Sequence, residues 1–286
     1  MKRFITALVL LASISGVCIL NGTVLNPEQA RNAQVAEASD SKIISTKIEN
    51  TPRSTTLEDS LTDILSAYSD LTIGITVVNI DNDYIYNAGY SDTAFKAAST
   101  TKVLTATYLM HQIEVGELSL QTSIGGATAE THLQRMLQNS DNTSWATLIN
   151  YLGDDDIESY AHEIGMTSYA AGDYNTITTS DFAVLLTKLQ KSQLISAAHR
   201  DVIYGYMQNT NNETLIPAAL STATVYHKWG MLWGNLHDVA IIEQEGHTYA
   251  VVIYTNYEGD TADMNAAQTT AIHEIIETFQ NEIDTN

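Results

Sequence analysis

Ser99 and Lys102, three residues apart in "FKAASTTKVLTATYLM", are the pair in this chain whose types and spacing suit nucleophilic chemistry. On a helix, residues i and i+3 are neighbours, so the two side chains are placed to touch. A serine hydroxyl is a poor nucleophile until a base takes its proton. A lysine acts as that base only where burial and a nearby cation favour its neutral form. The flanking residues supply the burial: Val103, Leu104, Ala106, Leu109, Met110 and Ile113 fall on several sides of the helix, and a helix apolar nearly all round is a buried one. A serine at the helix start also brings a reacting carbonyl oxygen close to free backbone N–H groups and the positive helix end.

The S-x-x-K spacing alone is weak, because "SDSK" from Ser39 to Lys42 fits it as well, in a polar stretch where it carries no meaning. Two further elements add weight: "NSDN" from Asn139 to Asn142 between helical segments, and "HKWG" from His227 to Gly230 at the end of a strand. In the order S-x-x-K, S-D-N, K-x-G, these resemble the signature of class A β-lactamases and penicillin-binding proteins. The flanks "LQRMLQNSDNTSWATLINYLG" and "TITTSDFAVLL" are similar to class A sequences around S-D-N and at a later Thr-Thr helix start, and the resemblance runs from about Ser54 to Asn286.

The resemblance implies a role for each matching position. Ser99 is the acylated nucleophile and Lys102 its base or base partner. Ser140 relays a proton to the leaving group, Asn142 hydrogen-bonds the substrate amide and Lys102, and Asp141 holds the turn. Lys228 biases the site positive, which lowers the Lys102 pKa and attracts a substrate carboxylate. The backbone N–H groups of Ser99 and Met231 form the oxyanion hole, and Gly230 lets the strand edge approach the substrate. No metal or cofactor is implied.

The chain also departs from the pattern. Trp229 stands on the substrate-binding edge where the family has Thr or Ser, a hydroxyl that binds the substrate carboxylate. The segment beginning at Gly165, "GMTSYAAGDYNT", is shorter than the family's Ω-loop and lacks the E-x-x-L-N element whose glutamate activates the deacylating water. Asp173 is the one carboxylate nearby and the candidate for that role. "ELSLQTSIGGATAETHLQ" is short as well, which trims one wall of the cleft.

The elements that must position these residues follow from periodicity. "STTLEDSLTDILSAY" has helical spacing, "LTIGITVVNI" is β-rich and ends in the turn "DND", and "YIYNAGY" is the returning strand. Several helices follow between about Ser99 and Tyr206, then three strand-like runs, then an amphipathic helix with Ile272, Ile275, Ile276, Phe279 and Ile283 on one face. The expected fold class is α+β, β-lactamase/transpeptidase-like: an antiparallel sheet with terminal helices packed on it plus an inserted all-helical lobe, with the site between them.

Beyond Arg53 the chain has 7 Lys+Arg against 30 Asp+Glu, which argues against nucleic acid or an anionic membrane surface as partner. The start, "MKRFITALVLLASISGVCILNG", has a basic tip (Lys2, Arg3) and an apolar run from Phe4 to Leu20. Residues 1–20 therefore read as an export signal or, uncleaved, as an N-terminal membrane anchor, and the protein as extracellular or cell-surface. Residues 21–53 read as a polar linker without a fold, and 54–286 as the catalytic domain. Cys18 is the only cysteine, so disulfides and structural thiolate sites are excluded. His162 in "HEIGM" and His273 in "HEIIE" lack the second histidine of a zinc-protease helix, and Asp154–Asp156 lacks the spacing of a calcium loop. The sequence points to a monomeric serine hydrolase acting on a small-molecule or peptidoglycan-peptide carbonyl, with weak or slow β-lactam turnover. Its rival is a catalytically silent module of the same fold that binds peptidoglycan or a partner protein.

Overall fold

The computed structural model describes residues 18–20, 23–25, 44–46, 55–258 and 262–283. The chain divides into two units, Met1–Lys42 and Ile43–Asn286. In the first, β1 (Cys18–Leu20) pairs antiparallel with β2 (Thr23–Leu25). The rest of the expected signal or anchor lies outside the described residues, as does most of the expected linker. Within that linker stretch, six residues do have a place: β2 pairs with β1, and β3 (Ile44–Thr46) pairs antiparallel with the strand that holds Ile85–Asn87, so these parts are folded, contrary to the reading from polarity alone.

The second unit continues with α1 (Thr55–Ala67), β4 (Thr72–Asn79), β5 (Tyr84–Gly89) and β6 (Phe95–Lys96). A 3-10 turn, Ala98–Thr101, leads into α2 (Lys102–Glu114), followed by the small hairpin of β7 (Ser123–Ile124) and β8 (Ala127–Thr128). Helices α3 (Ala129–Gln138), α4 (Asn142–Leu152) and α5 (Asp154–Glu163) come next, then β9 (Thr176–Ile177), α6 (Thr179–Gln190), α7 (Ala197–Tyr206) and the single turn α8 (Ile216–Ala219). The chain closes with β10 (Thr224–Leu232), β11 (Asn235–Gln244), β12 (His247–Asn256) and α9 (Ala262–Ile283). The main sheet is antiparallel with strand order β10-β11-β12-β4-β5-β3, which makes β10 an edge strand. This is the expected α+β architecture.

Alternation along the strands sorts the core into two layers. Ile73, Ile75 and Val77 of β4, with Val251 and Ile253 of β12, face Leu57 and Leu61 of α1 and Ile272, Ile275, Ile276 and Phe279 of α9. On the opposite sheet face, Val239, Ile241, Ala250, Val252 and Tyr254 join the helical lobe built around α2. Helix α2 is buried on all sides through its first two turns, from Lys102 to Thr107 and again at Leu109 and Met110, as its sequence predicts. The site residues therefore sit where the lobe meets the edge strand.

Candidate active site

The α-helix begins at Lys102 itself, about one turn later than the sequence reading placed the helix start, and Ser99 lies on the 3-10 turn before it. Contact survives because a 3-10 turn has three residues and stacks i directly on i+3. Lys102 Nζ is 3.1 Å from Ser99 Oγ. It also donates to Ser140 O and Asn142 Oδ1, both at 2.7 Å. A neutral amine has two N–H groups and one lone pair. With both N–H groups committed to those two oxygens, the lone pair is left facing the Ser99 hydroxyl.

The side chain of Lys102 is 1% exposed, and burial lowers its pKa to about 8 against the opposing pull of Asp141. Lys228, 0% exposed, is lowered to about 7 by burial and then by the positive charge of Lys102. Both lysines reach the same hydroxyl: Ser140 Oγ lies 3.3 Å from Lys102 Nζ and 3.0 Å from Lys228 Nζ. Two ammonium groups sharing one hydroxyl titrate as a pair, each proton lost by one raising the hold of the other.

Asp141 caps α4, accepting from Thr143 N at 3.2 Å and Ser144 N at 3.0 Å. Those bonds hold its carboxyl below the usual range and fix the turn that presents Ser140 and Asn142. Three residues around the site have left-handed backbones without being glycine: Ala98 (φ 48), Ser140 (φ 53) and Trp233 (φ 42). Such conformations cost energy and persist only where the surroundings impose them.

"HKWG" lies inside β10, which runs on past the expected strand end to Leu232. Trp229 O accepts from Lys228 Nζ at 2.7 Å, so it faces the site from the free edge of the sheet. Backbone groups two residues apart on a strand share a direction, which turns the Met231 N–H to the same side. A Cβ on Gly230 would lie 2.7 Å from Ser99 N and 3.0 Å from Thr100 N. Only glycine lets β10 lie this close to the Ser99 turn.

Trp229 behaves differently from a threonine or serine at its place. Its indole Nε1 donates to Asn211 Oδ1 at 2.9 Å, and so is committed within the protein. Asn211 in turn donates from Nδ2 to Asn139 O at 2.8 Å and from N to Gln138 O at 2.9 Å. One asparagine thus ties the "NSDN" turn to the "HKWG" strand. Below it, His227 Nδ1 bonds the buried Asp238 carboxylate at 2.9 Å, and Nε2 faces Thr210 Oγ1 at 3.0 Å. Burial alone would lower the His227 pKa, but Asp238 and Glu213 outweigh it and raise it.

The shortened loop places no carboxylate on Ser99. Asp173 is exposed, and the loop reaches the reactive turn through Asn175 instead. Asn175 O accepts from Ala97 N at 2.7 Å, and Nδ2 donates to Thr101 Oγ1 at 3.3 Å. Sequence reading passed over Asn175, Asn211 and His237, the last fully buried with Nδ1 accepting from Thr255 N and Nε2 on Lys96 O. The asparagines stand in loops with no periodic signal; only the register of the finished sheet shows what they join. His162 and His273 each bond a backbone carbonyl, of Tyr169 and Thr214. Among the described residues no His/Cys/Asp/Glu group is arranged to hold a metal.

Solved structures agree on the fold. PBP-A superposes with a TM-score of 0.73 at 21% identity, over 83% of this chain and 100% of that one. A class A β-lactamase described as ancestral (GNCA) gives 0.73 at 19% identity over 79% and 99%, and the β-lactamase of Sphaerobacter thermophilus DSM 20745 gives 0.71 at 18% over 81% and 98%. No curated protein matches. The model of the beta-lactamase enzyme family matches residues 56–279, a span that holds the Ser99 turn, the Ser140 turn and the Lys228 strand, and the chain belongs to that family.

Proposed function

We propose that the protein is an exported serine hydrolase that works through an acyl-Ser99 intermediate on an amide, ester or lactam carbonyl, with cell-wall peptide as its natural substrate class. The observation that carries this reading is the arrangement of Lys102, whose N–H groups are held by Ser140 O and Asn142 Oδ1 while its nitrogen lies 3.1 Å from Ser99 Oγ. Neutral Lys102 takes the Ser99 proton as Oγ bonds to the carbonyl carbon. The oxyanion forms against the N–H groups of Ser99 and Met231. Collapse breaks the bond to the leaving nitrogen or oxygen, which receives its proton from Ser140 Oγ, itself reprotonated from the lysine pair. Water then cleaves the ester.

That last step is the slow one in this reading, since the side chains that reach Thr101 from the loop are an amide, Asn175, and a phenol, Tyr169, and neither is a carboxylate base. A variant of PBP-A is known as an acyl-enzyme complex with penicillin G, which is the same kind of intermediate. The basic tip and apolar run at the N-terminus support export, with the segment either cleaved or kept as an anchor. A fluorophosphonate or fluorescent penicillin, followed by mapping of the labelled peptide, tests the proposal: label on Ser99 that is lost in Ser99→Ala and Lys102→Ala supports it, and label that survives Ser99→Ala removes it. Absence of label from folded protein would favour the silent binding module, for which the committed indole of Trp229 is the supporting observation.

A further inference from the structure

Lys96 of β6 sits three residues before Ser99, and its ammonium lies 4.9 Å from the centre of the Tyr174 ring and 5.3 Å from that of Trp233. The two rings meet edge to face at 4.7 Å. Both are unusually open for their size, Tyr174 at 41% and Trp233 at 56%. In a domain this rich in carboxylates, Lys96 has no carboxylate partner among the described residues. We infer that Lys96, Tyr174 and Trp233 form a binding subsite for an acyl donor that carries a carboxylate on its acyl side, the ammonium pairing with the anion and the rings covering the flat or apolar part beside it. The inference deepens the acyl-Ser99 reading and rests on it.

The direction follows from the strand. A carbonyl held at the Met231 N–H has Lys228 three residues back along β10, about 10 Å at strand rise, and Trp233 on the opposite side, in the turn just past the strand end at Leu232. Ser140 delivers its proton beside Lys228, so the leaving group points that way. The acyl part therefore runs the other way, toward Trp233 and Lys96.

The subsite is also held in place before anything binds. Lys96 O faces His237 Nε2 at 2.8 Å, and Lys96 is in register with Thr176 of β9, two residues from Tyr174. The turn carrying Trp233 is fixed by Asn235 Nδ2 on Trp233 O at 3.2 Å, and by Gln268 Nε2 and Tyr257 N on Gly234 O at 2.8 and 2.9 Å. A platform that is already ordered gives up little freedom on binding. A lysine ammonium has three N–H donors, so one resting over aromatic faces still has donors to spare for an anion.

The test compares second-order acylation rates of the full chain with benzylpenicillin and its α-carboxybenzyl counterpart, which differ by one side-chain carboxylate. The expected preference for the carboxylated compound is about fivefold, the scale of a part-exposed ion pair. It should fall to about one in Lys96→Met and be kept in Lys96→Arg, the range an ion-pair origin requires. Trp233→Ala should slow both compounds and leave a preference. Equal rates in the unaltered protein, or the same preference in Lys96→Met, overturn the subsite while fluorophosphonate labelling of Ser99 leaves the hydrolase reading in force. Failure of every acylating reagent to label Ser99 overturns the hydrolase reading and the subsite with it.

Discussion

The indole N–H of Trp229 donates to Asn211 Oδ1 at 2.9 Å, and through Asn211 the strand that carries Lys228 is joined to the turn that carries Ser140. Removing this link by Asn211→Ala should slow Ser99 acylation about tenfold, since a displacement of about 1 Å among reacting groups has an effect of at least that size. The cost in stability should stay near 1 kcal/mol, as for the loss of ordinary hydrogen bonds. Acylation kinetics and urea denaturation on the same sample separate the two. An unchanged acylation rate would make Asn211 a loop-closing residue only.

Acylation should require Lys102 in its neutral form. With its pKa lowered to about 8 by burial, the rate should climb as pH rises through that value and level off above it. Lys228, itself lowered to about 7, is largely uncharged where Lys102 titrates. Lys228→Met should therefore leave the midpoint of the rising limb near pH 8 and lower the rate along the whole limb, since Ser140 Oγ loses one of its two lysine partners. A limb that moves to higher pH instead would show that Lys228 keeps its charge through the Lys102 titration.

Deacylation should be slow, because Asp173 is exposed and Asn175 occupies the loop position against the reactive turn. Intact-mass spectrometry after mixing with excess penicillin should show an adduct that persists, with the same lifetime in Asp173→Ala. Fast penicillin turnover abolished by Asp173→Ala would restore full β-lactamase chemistry.

His237 should set part of the acid stability. It is buried neutral, and burial lowers its pKa from 6.5 to about 4 despite its bonds to Lys96 and Leu236. The folded state therefore binds fewer protons than the unfolded one between those values, so the contribution is whole above pH 6.5 and is lost as pH falls toward 4. A shift of this size corresponds to about 3 kcal/mol. His237→Asn should be less stable near neutral pH yet lose less on acidification, which urea midpoints at about pH 7 and about pH 4.5 would show. Parallel losses in both proteins would assign the acid sensitivity elsewhere.

Much of this was readable from residue order. β-rich, strand-like runs predicted β4 and β10 to β12, and the all-round apolar face of α2 predicted its burial, because both depend on neighbours in sequence. Ser99 with Lys102 was legible for the same reason. The joining of Lys102 to Ser140 needed the resemblance to a known family, since 38 residues separate them. Asn211, Asn175 and the Lys96 cluster were not legible at all. Their partners lie across loops and strand edges, and a lone asparagine in a loop carries no periodic mark. The strand at Ile44–Thr46 was missed because a polar three-residue edge pairs through its backbone, which composition does not record.

The two buried lysines lie inside a domain whose acidic residues outnumber its basic ones about fourfold by the counts beyond Arg53. At low ionic strength the outer charge repels any anion well before it meets the cationic floor, and salt shortens that repulsion to about 10 Å at 0.1 M. The protected lysines, screened little, keep their pull on what has already entered. Ionic strength thus acts as a valve on encounter and leaves the chemistry untouched: capture of an anionic acyl donor should quicken in brine, the reverse of the dependence expected of an enzyme with a basic surface.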